Sequence, residues 1–340
     1  SNADSLVDSL TAGIVAGIPY PYQHYPDDEC RELTQALAAY EAVGPEHILV
    51  GNGSSELIHL ALAGLGSGLV RLAAPIFSEY VAGCEAVGRP YELRVLDAAA
   101  GWTPGPADVA ALTRHGAEGL ILCTPNNPTA AVYDRLGEIL AGTRARWVLV
   151  DATYREFLHG SPEFAATRHE VLRRATPSDT ALIVVNSFTK YFYCTGIRLG
   201  YVVADPVVVE ALRRRKPPWT VSRFAELAGL AFLERLEDYR RARHGFAALR
   251  EALAQNLTAT GTIARVYPSR VNFLLCRLRE GLSAPALREA LLAQGILIRA
   301  CDNIPGMPPG HVRLQVRSAE ENGRLVAALR EIRDGQKNSR

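Results

Sequence analysis

Ser187-Phe188-Thr189-Lys190 stands directly after an apolar, mostly β-branched run at 181–185, and Gly196-Ile197-Arg198-Leu199-Gly200-Tyr201 follows shortly after it. The run reads as a buried strand. A lysine at the end of such a strand loses hydration, which disfavours its charged form and lowers its pKa. A neutral amine in a pocket attacks carbonyls and forms Schiff bases. Arg198 offers a planar fork of donors for a phosphate, and Ser187 adds a hydroxyl. An aldehyde that carries a phosphate satisfies all three residues, and pyridoxal 5′-phosphate (PLP) is such a molecule.

Other residues fit the same chemistry, each with an ordinary alternative. Asp151 ends the apolar run 147–150. A carboxylate buried beside a pyridine nitrogen keeps it protonated by opposite-charge pairing; a helix N-cap or loop aspartate is the competing reading. Tyr154 is spaced to hydrogen-bond the ring hydroxyl. Asn127, in Asn126-Asn127-Pro128-Thr129, could donate to the same oxygen, although Asn-Pro favours turns in any protein. Gly53-Ser54-Ser55 opens a helix whose free N–H groups and dipole suit a phosphate. Tyr80 could stack on the pyridine face or be a core aromatic.

These residues need a scaffold that brings distant segments together. From 45 to 205, short apolar runs at 47–50, 69–73, 90–95, 119–123, 146–150, 181–186 and 199–203 read as strands. Helical patterns at 54–65, 77–87, 106–114 and 131–140 lie between them. The alternation predicts an α/β fold with a mostly parallel seven-stranded sheet covered on both faces. Ligands in such sheets bind beyond the carboxyl ends of the strands, where all the residues named above fall. Pro217-Pro218 closes a helix at 206–214. A helical stretch over 222–257, broken once, follows. Strands at 272–277, 296–299 and 312–317 then alternate with helices at 283–293 and 319–333, a small α+β domain. The expected division is 4–44 packing with the small domain, 45–257 as the large domain and 258–340 as the small one.

Composition excludes several classes. The 340 residues are 48% hydrophobic and 21% charged, with net charge +1, which gives no electrostatic case for nucleic acid or an anionic membrane. The basic runs at 213–216 and 240–243 read as solvated helix faces. No apolar run is long enough for a membrane span, and no signal peptide is legible. Ser1-Asn2-Ala3 reads as a remnant of tag cleavage. Six scattered cysteines without a CxxC pair suit reduced thiols in a cytoplasmic protein, and neither cysteines nor histidines fall at metal-ligand spacings.

The order of these motifs along the chain resembles the fold-type I, class I/II aminotransferase superfamily of PLP enzymes. Tyr25-Pro26-Asp27 and Gly51-Asn52-Gly53 resemble its histidinol-phosphate aminotransferase branch. Segments 123–129, 187–190, 218–221, 266–270, 296–303 and 312–318 resemble the threonine-phosphate decarboxylases more closely; there Arg317-Ser318 replaces Gly-Thr. The resemblance implies that Lys190 carries the cofactor and shuttles protons, that Asp151 pairs with the pyridine nitrogen, and that Asn127 and Tyr154 hold the ring oxygen. It implies Ser54, Ser55, Ser187 and Arg198 for the cofactor phosphate. Tyr25 would reach the phosphate of a neighbouring subunit in a homodimer with shared sites. Arg313 would take the substrate carboxylate, and Arg299 is a candidate for a substrate phosphate. The family has a further amino-terminal segment touching substrate, and this chain is expected to start downstream of it. Ala130 stands where the family has glycine, a minor change if its φ is negative.

The implied function is decarboxylation of a phosphorylated amino acid, O-phospho-L-threonine to aminopropanol phosphate in a cobalamin-type pathway. A histidinol-phosphate-type aminotransferase is the alternative, because one scaffold serves both reactions. A non-catalytic PLP-binding module is the alternative of another class.

Overall fold

The computed structural model describes residues 3–19 and 24–337. Seven strands, β1 (Ile48–Gly51), β2 (Val70–Ala74), β3 (Tyr91–Val95), β4 (Gly119–Cys123), β5 (Trp147–Asp151), β6 (Ala181–Ser187) and β7 (Gly200–Ala204), form one sheet. Its order is β1-β7-β6-β5-β4-β2-β3. Strand β7 pairs antiparallel with β1 and β6, and the remaining pairings are parallel. The runs at β4 and β5 are apolar because both faces are covered. Leu120, Leu122, Val148, Val150, Leu182 and Val184 face one layer, with Leu33, Leu37 and Phe232. Their alternates Ile121, Leu149, Ile183 and Val185 face the other, with Leu57, Leu62 and Leu212. This is the period-two alternation of a strand read on both sides.

Where the elements differ from expectation, hydrogen bonds explain it. The helix expected over 131–140 begins only at Leu136, because Ala131 and Tyr133 are tied to the loop after β4: Asn126 N donates to Ala131 O, and Tyr133 N to Thr124 Oγ1. The stretch 222–257 breaks twice, into helices Arg223–Glu234, Leu236–Ala242 and Phe246–Thr258. Arg243 is buried in the second break, its guanidinium over the rings of Phe157 and Tyr191, each at 4.8 Å. The reading of 240–243 as a solvated face therefore fails at that residue.

A second sheet, β8 (Ile263–Val266), β9 (Phe273–Leu278), β10 (Arg299–Ala300) and β11 (His311–Gln315), runs β10-β11-β9-β8, all antiparallel. Strand β8 was not expected, and the strand expected at 296–299 shrinks to β10. Helix Phe246–Thr258 places Leu253 and Leu257 in this sheet's core, with Leu274, Leu314 and Leu329. Within residues 4–44 two helices form. Helix Ala3–Ala16 packs on Arg223–Glu234 and Leu236–Ala242, and helix Arg31–Glu41 on β1 and Arg223–Glu234. Leu33 and Leu37 thus bury against the large sheet's helical layer; residues 20–23 of this segment lie outside the described residues. Among the described residues no helix is long and apolar enough to cross a membrane.

Candidate active site

The parallel strands and β7 deliver their chemistry to one edge of the large sheet. Asp151 ends β5, Lys190 lies on the short helix Phe188–Tyr191 after β6, and Arg198 precedes β7. Helix Gly53–Gly64 starts just past β1. Arg299 and Arg313, register partners on β10 and β11, approach from the small sheet. These residues line one cavity of about 240 Å³, together with Ser54, Ser55, Tyr80, Asn127 and Tyr154. Two expected residues are not on its wall. The Ser187 hydroxyl is turned to Thr189 Oγ1 at 2.8 Å, and Thr189 takes the place on the wall. Tyr25 is 81% exposed, its ring 4.9 Å from that of Trp219.

Lys190 carries the electrostatic signature of a nucleophile. Burial lowers its pKa from the ordinary lysine value, and Arg313 and Arg198 lower it further. Among the described residues no hydrogen bond holds its ammonium. Asp151 shows the opposite displacement: burial raises its carboxyl pKa. Tyr80 Oη donates to Asp151 Oδ2 at 2.7 Å and Thr153 N to Oδ1 at 2.9 Å, and both favour the carboxylate. Tyr154 is buried, its phenol pushed up to about 12 by desolvation. Asn127 Oδ1 accepts a hydrogen bond from Arg313 Nη1, which leaves its amide N–H groups free to donate into the cavity.

Tyr80 departs from its expected role. It has no exposed surface, and its hydroxyl is committed to Asp151. Phe77, half-buried and edge-on to Tyr80 at 5.9 Å, also lines the cavity. Sequence reading missed Phe77, Thr153 and Thr189. The Pro75-Ile76-Phe77 segment after β2 was the available signal for the first.

The residues present fit PLP. The start of helix Gly53–Gly64 has no side-chain cap, so its first amides remain available to a phosphate. Two glycines allow the close packing there. A Cβ at Gly53, whose φ is +74°, would lie 2.6 Å from Arg198 Nη2. A Cβ at Gly200 would lie 2.8 Å from both Ser54 N and Asn186 O. The helix start, Arg198 and β7 therefore form a cradle that side chains would fill. Ala130 has φ 62°, so its replacement of glycine is not minor: an L-residue occupies the left-handed region.

The model of the family described as aminotransferase class I and II matches residues 10–329. The chain belongs to that family. The threonine-phosphate decarboxylase of Salmonella typhimurium is 34% identical over 328 residues, covering 92% of this chain and 84% of the relative. A histidinol-phosphate aminotransferase of Desulfitobacterium hafniense is 32% identical, covering 96% and 87%. Among solved structures, the histidinol-phosphate aminotransferase of Clostridium acetobutylicum shares the fold with TM-score 0.79 at 23% identity, covering 98% of this chain and 96% of that one. As a member of this family the protein is a PLP-dependent enzyme of fold type I, a decarboxylase or an aminotransferase.

Proposed function

We propose that the enzyme decarboxylates a phosphorylated amino acid, O-phospho-L-threonine in the simplest case. The observation that carries this reading is the pair Arg299 and Arg313, on adjacent strands and on one cavity wall. Together they suit a substrate that bears a carboxylate and a phosphate. Similarity to the Salmonella typhimurium decarboxylase supports the choice of reaction.

Bound PLP supplies the sink for electrons released when a bond at the substrate Cα breaks. Lys190 is the amine that would hold the cofactor aldehyde and return a proton to Cα. Asp151, anchored by Tyr80 and Thr153 N, would pair with the ring nitrogen. Asn127 Nδ2 and Tyr154 Oη hold the ring oxygen, and Ser54, Ser55, Thr189 and Arg198 the cofactor phosphate. Arg313, braced by Asn127, takes the substrate carboxylate, and Arg299 the substrate phosphate. We assign Tyr25, exposed beside Trp219, to the partner's site in a cytoplasmic homodimer.

The test is a pair of incubations of the holoenzyme. With O-phospho-L-threonine, CO₂ release without a keto acid co-substrate is expected. Turnover of histidinol phosphate with a keto acid, and no CO₂ from phosphothreonine, would assign the enzyme to transamination instead.

A further inference from the structure

Behind the cofactor cavity lies a second cavity of about 20 Å³, room for one water molecule. Thr153, Arg155, Asn186 and Tyr201 contribute to its wall, and Thr153 borders both cavities. Glu41, the last residue of helix Arg31–Glu41, is 1% exposed and pairs with Arg155, 2% exposed. Tyr201 Oη donates to the same carboxylate at 2.6 Å. The pairing is incomplete. Among the described residues Glu41 Oε2, Arg155 Nη1, Thr153 Oγ1 and Asn186 Nδ2 are buried without hydrogen-bond partners.

Buried polar groups left unmatched are destabilising, and polar voids of this size hold water. Three of these orphans, on Thr153, Arg155 and Asn186, belong to residues of the cavity wall, and their chemistry matches one molecule. Arg155 Nη1 and Asn186 Nδ2 donate, and the Thr153 hydroxyl accepts. Asn186 and Tyr201 are register partners across β6 and β7, which brings Asn186 beside the residue that binds Glu41. On the cofactor side, Thr153 N already holds Asp151 Oδ1. Its hydroxyl lies near enough to favour the ionised carboxylate, though outside hydrogen-bond geometry.

We infer that one buried water bound by Arg155, Thr153 and Asn186 ties β6 to the 151–155 loop, whose Arg155 holds Glu41 of helix Arg31–Glu41. Thr153 and Asn186 thereby act as positioning residues for Asp151 and Tyr154. The water satisfies the free nitrogen of the Arg155 side of the ion pair. It also fixes the Thr153 hydroxyl, so that the loop presents its carboxylate and phenol in one arrangement. The inference holds for either reaction of the family.

A crystal structure of the holoenzyme is expected to show a single ordered water with these three partners. Thr153→Val keeps the shape and the backbone N–H but removes the hydroxyl. It is expected to lower kcat about tenfold with KM unchanged, the cost of one buried hydrogen bond, and Thr153→Ser is expected to restore it. Asn186→Leu, which leaves the lining of the cofactor cavity untouched, is expected to show the same fall. The double variant is expected to fall no further, since both remove one shared water. A dry cavity, a Thr153→Val enzyme with wild-type kcat, or additive losses in the double variant would each overturn the inference.

Discussion

Replacing Tyr80 by phenylalanine separates two roles that the residue type leaves open. If Tyr80 stacks on the cofactor ring, phenylalanine preserves the stacking face and the change is nearly silent. The structure predicts otherwise. Tyr80 has no exposed surface, and its hydroxyl lies 2.7 Å from Asp151 Oδ2. Asp151 is buried, burial raises its pKa, and Tyr80 is the strongest of the partners that pull it back. A hydrogen bond to a charged group is worth about 1.5–3 kcal/mol. At about 1.4 kcal/mol per factor of ten, its loss amounts to roughly 10- to 150-fold. Thr153 N still holds Oδ1 at 2.9 Å, so the carboxylate keeps one anchor. The loss is expected in the PLP affinity of the apoenzyme, followed by absorbance titration, and in kcat of the saturated enzyme. Phe77→Leu should weaken PLP binding as well, by the ~0.5–1.5 kcal/mol of an aromatic contact. A Tyr80→Phe enzyme equal to wild type in both measurements would refute the anchoring role.

Two further outcomes follow from backbone conformation and burial. Ala130 sits at φ 62°. Ala130→Gly should raise stability by about 1 kcal/mol, the left-handed penalty less the entropy gained by an unfolded glycine, measured by denaturant unfolding. For Asp151, burial raises the folded pKa above the ordinary value of 3.8, so the folded apoenzyme binds this proton more tightly than the unfolded chain does. Its contribution therefore declines as pH climbs from 3.8 through the folded pKa. Asp151→Asn removes that decline: the apo variant should gain on wild type at neutral pH and not below 3.8, read from unfolding at both pH values.

Much of the site was legible because each element carries a local signal. The apolar runs at β4, β5 and β6 end where the chemistry begins, and a covered parallel sheet sends those ends to one edge. That logic places Asn127, Asp151 and Lys190 together without any knowledge of contacts. It fails where two similar side chains stand close in sequence. Phe77 and Tyr80 flank the start of helix Ser78–Ala86, and nothing in the spacing says that the Tyr80 hydroxyl finds the carboxylate while Phe77 keeps the more exposed ring. Ser187 and Thr189 pose the same problem with two hydroxyls. The Glu41–Arg155 pair was invisible for another reason. Its members lie 114 residues apart, and each reads alone as an ordinary charged residue near a helix or turn. The partners of the helices in 4–44 were not legible either, since an amphipathic helix announces that it has an apolar face but not which layer receives it.

The charges on the cavity wall explain why anion capture and nucleophile activation belong together in this fold. Lys190, Arg198, Arg299 and Arg313 converge on the cavity, and Asp151 is the single carboxylate among its lining residues. Such an excess of positive charge is unfavourable until anions neutralise it. The same crowding displaces the Lys190 pKa downward, Arg313 and Arg198 contributing after burial itself. The guanidinium groups proposed above for a cofactor phosphate and a substrate carboxylate therefore also lower the proton affinity of the amine beforehand. Once anions bind, their charge offsets those guanidinium groups, and Lys190 regains proton affinity at the stage when it must hold a proton. On the proposed roles, Arg313 and Arg198 serve the reaction twice, first as repelling neighbours of the amine and then as clamps on the groups that relieve that repulsion.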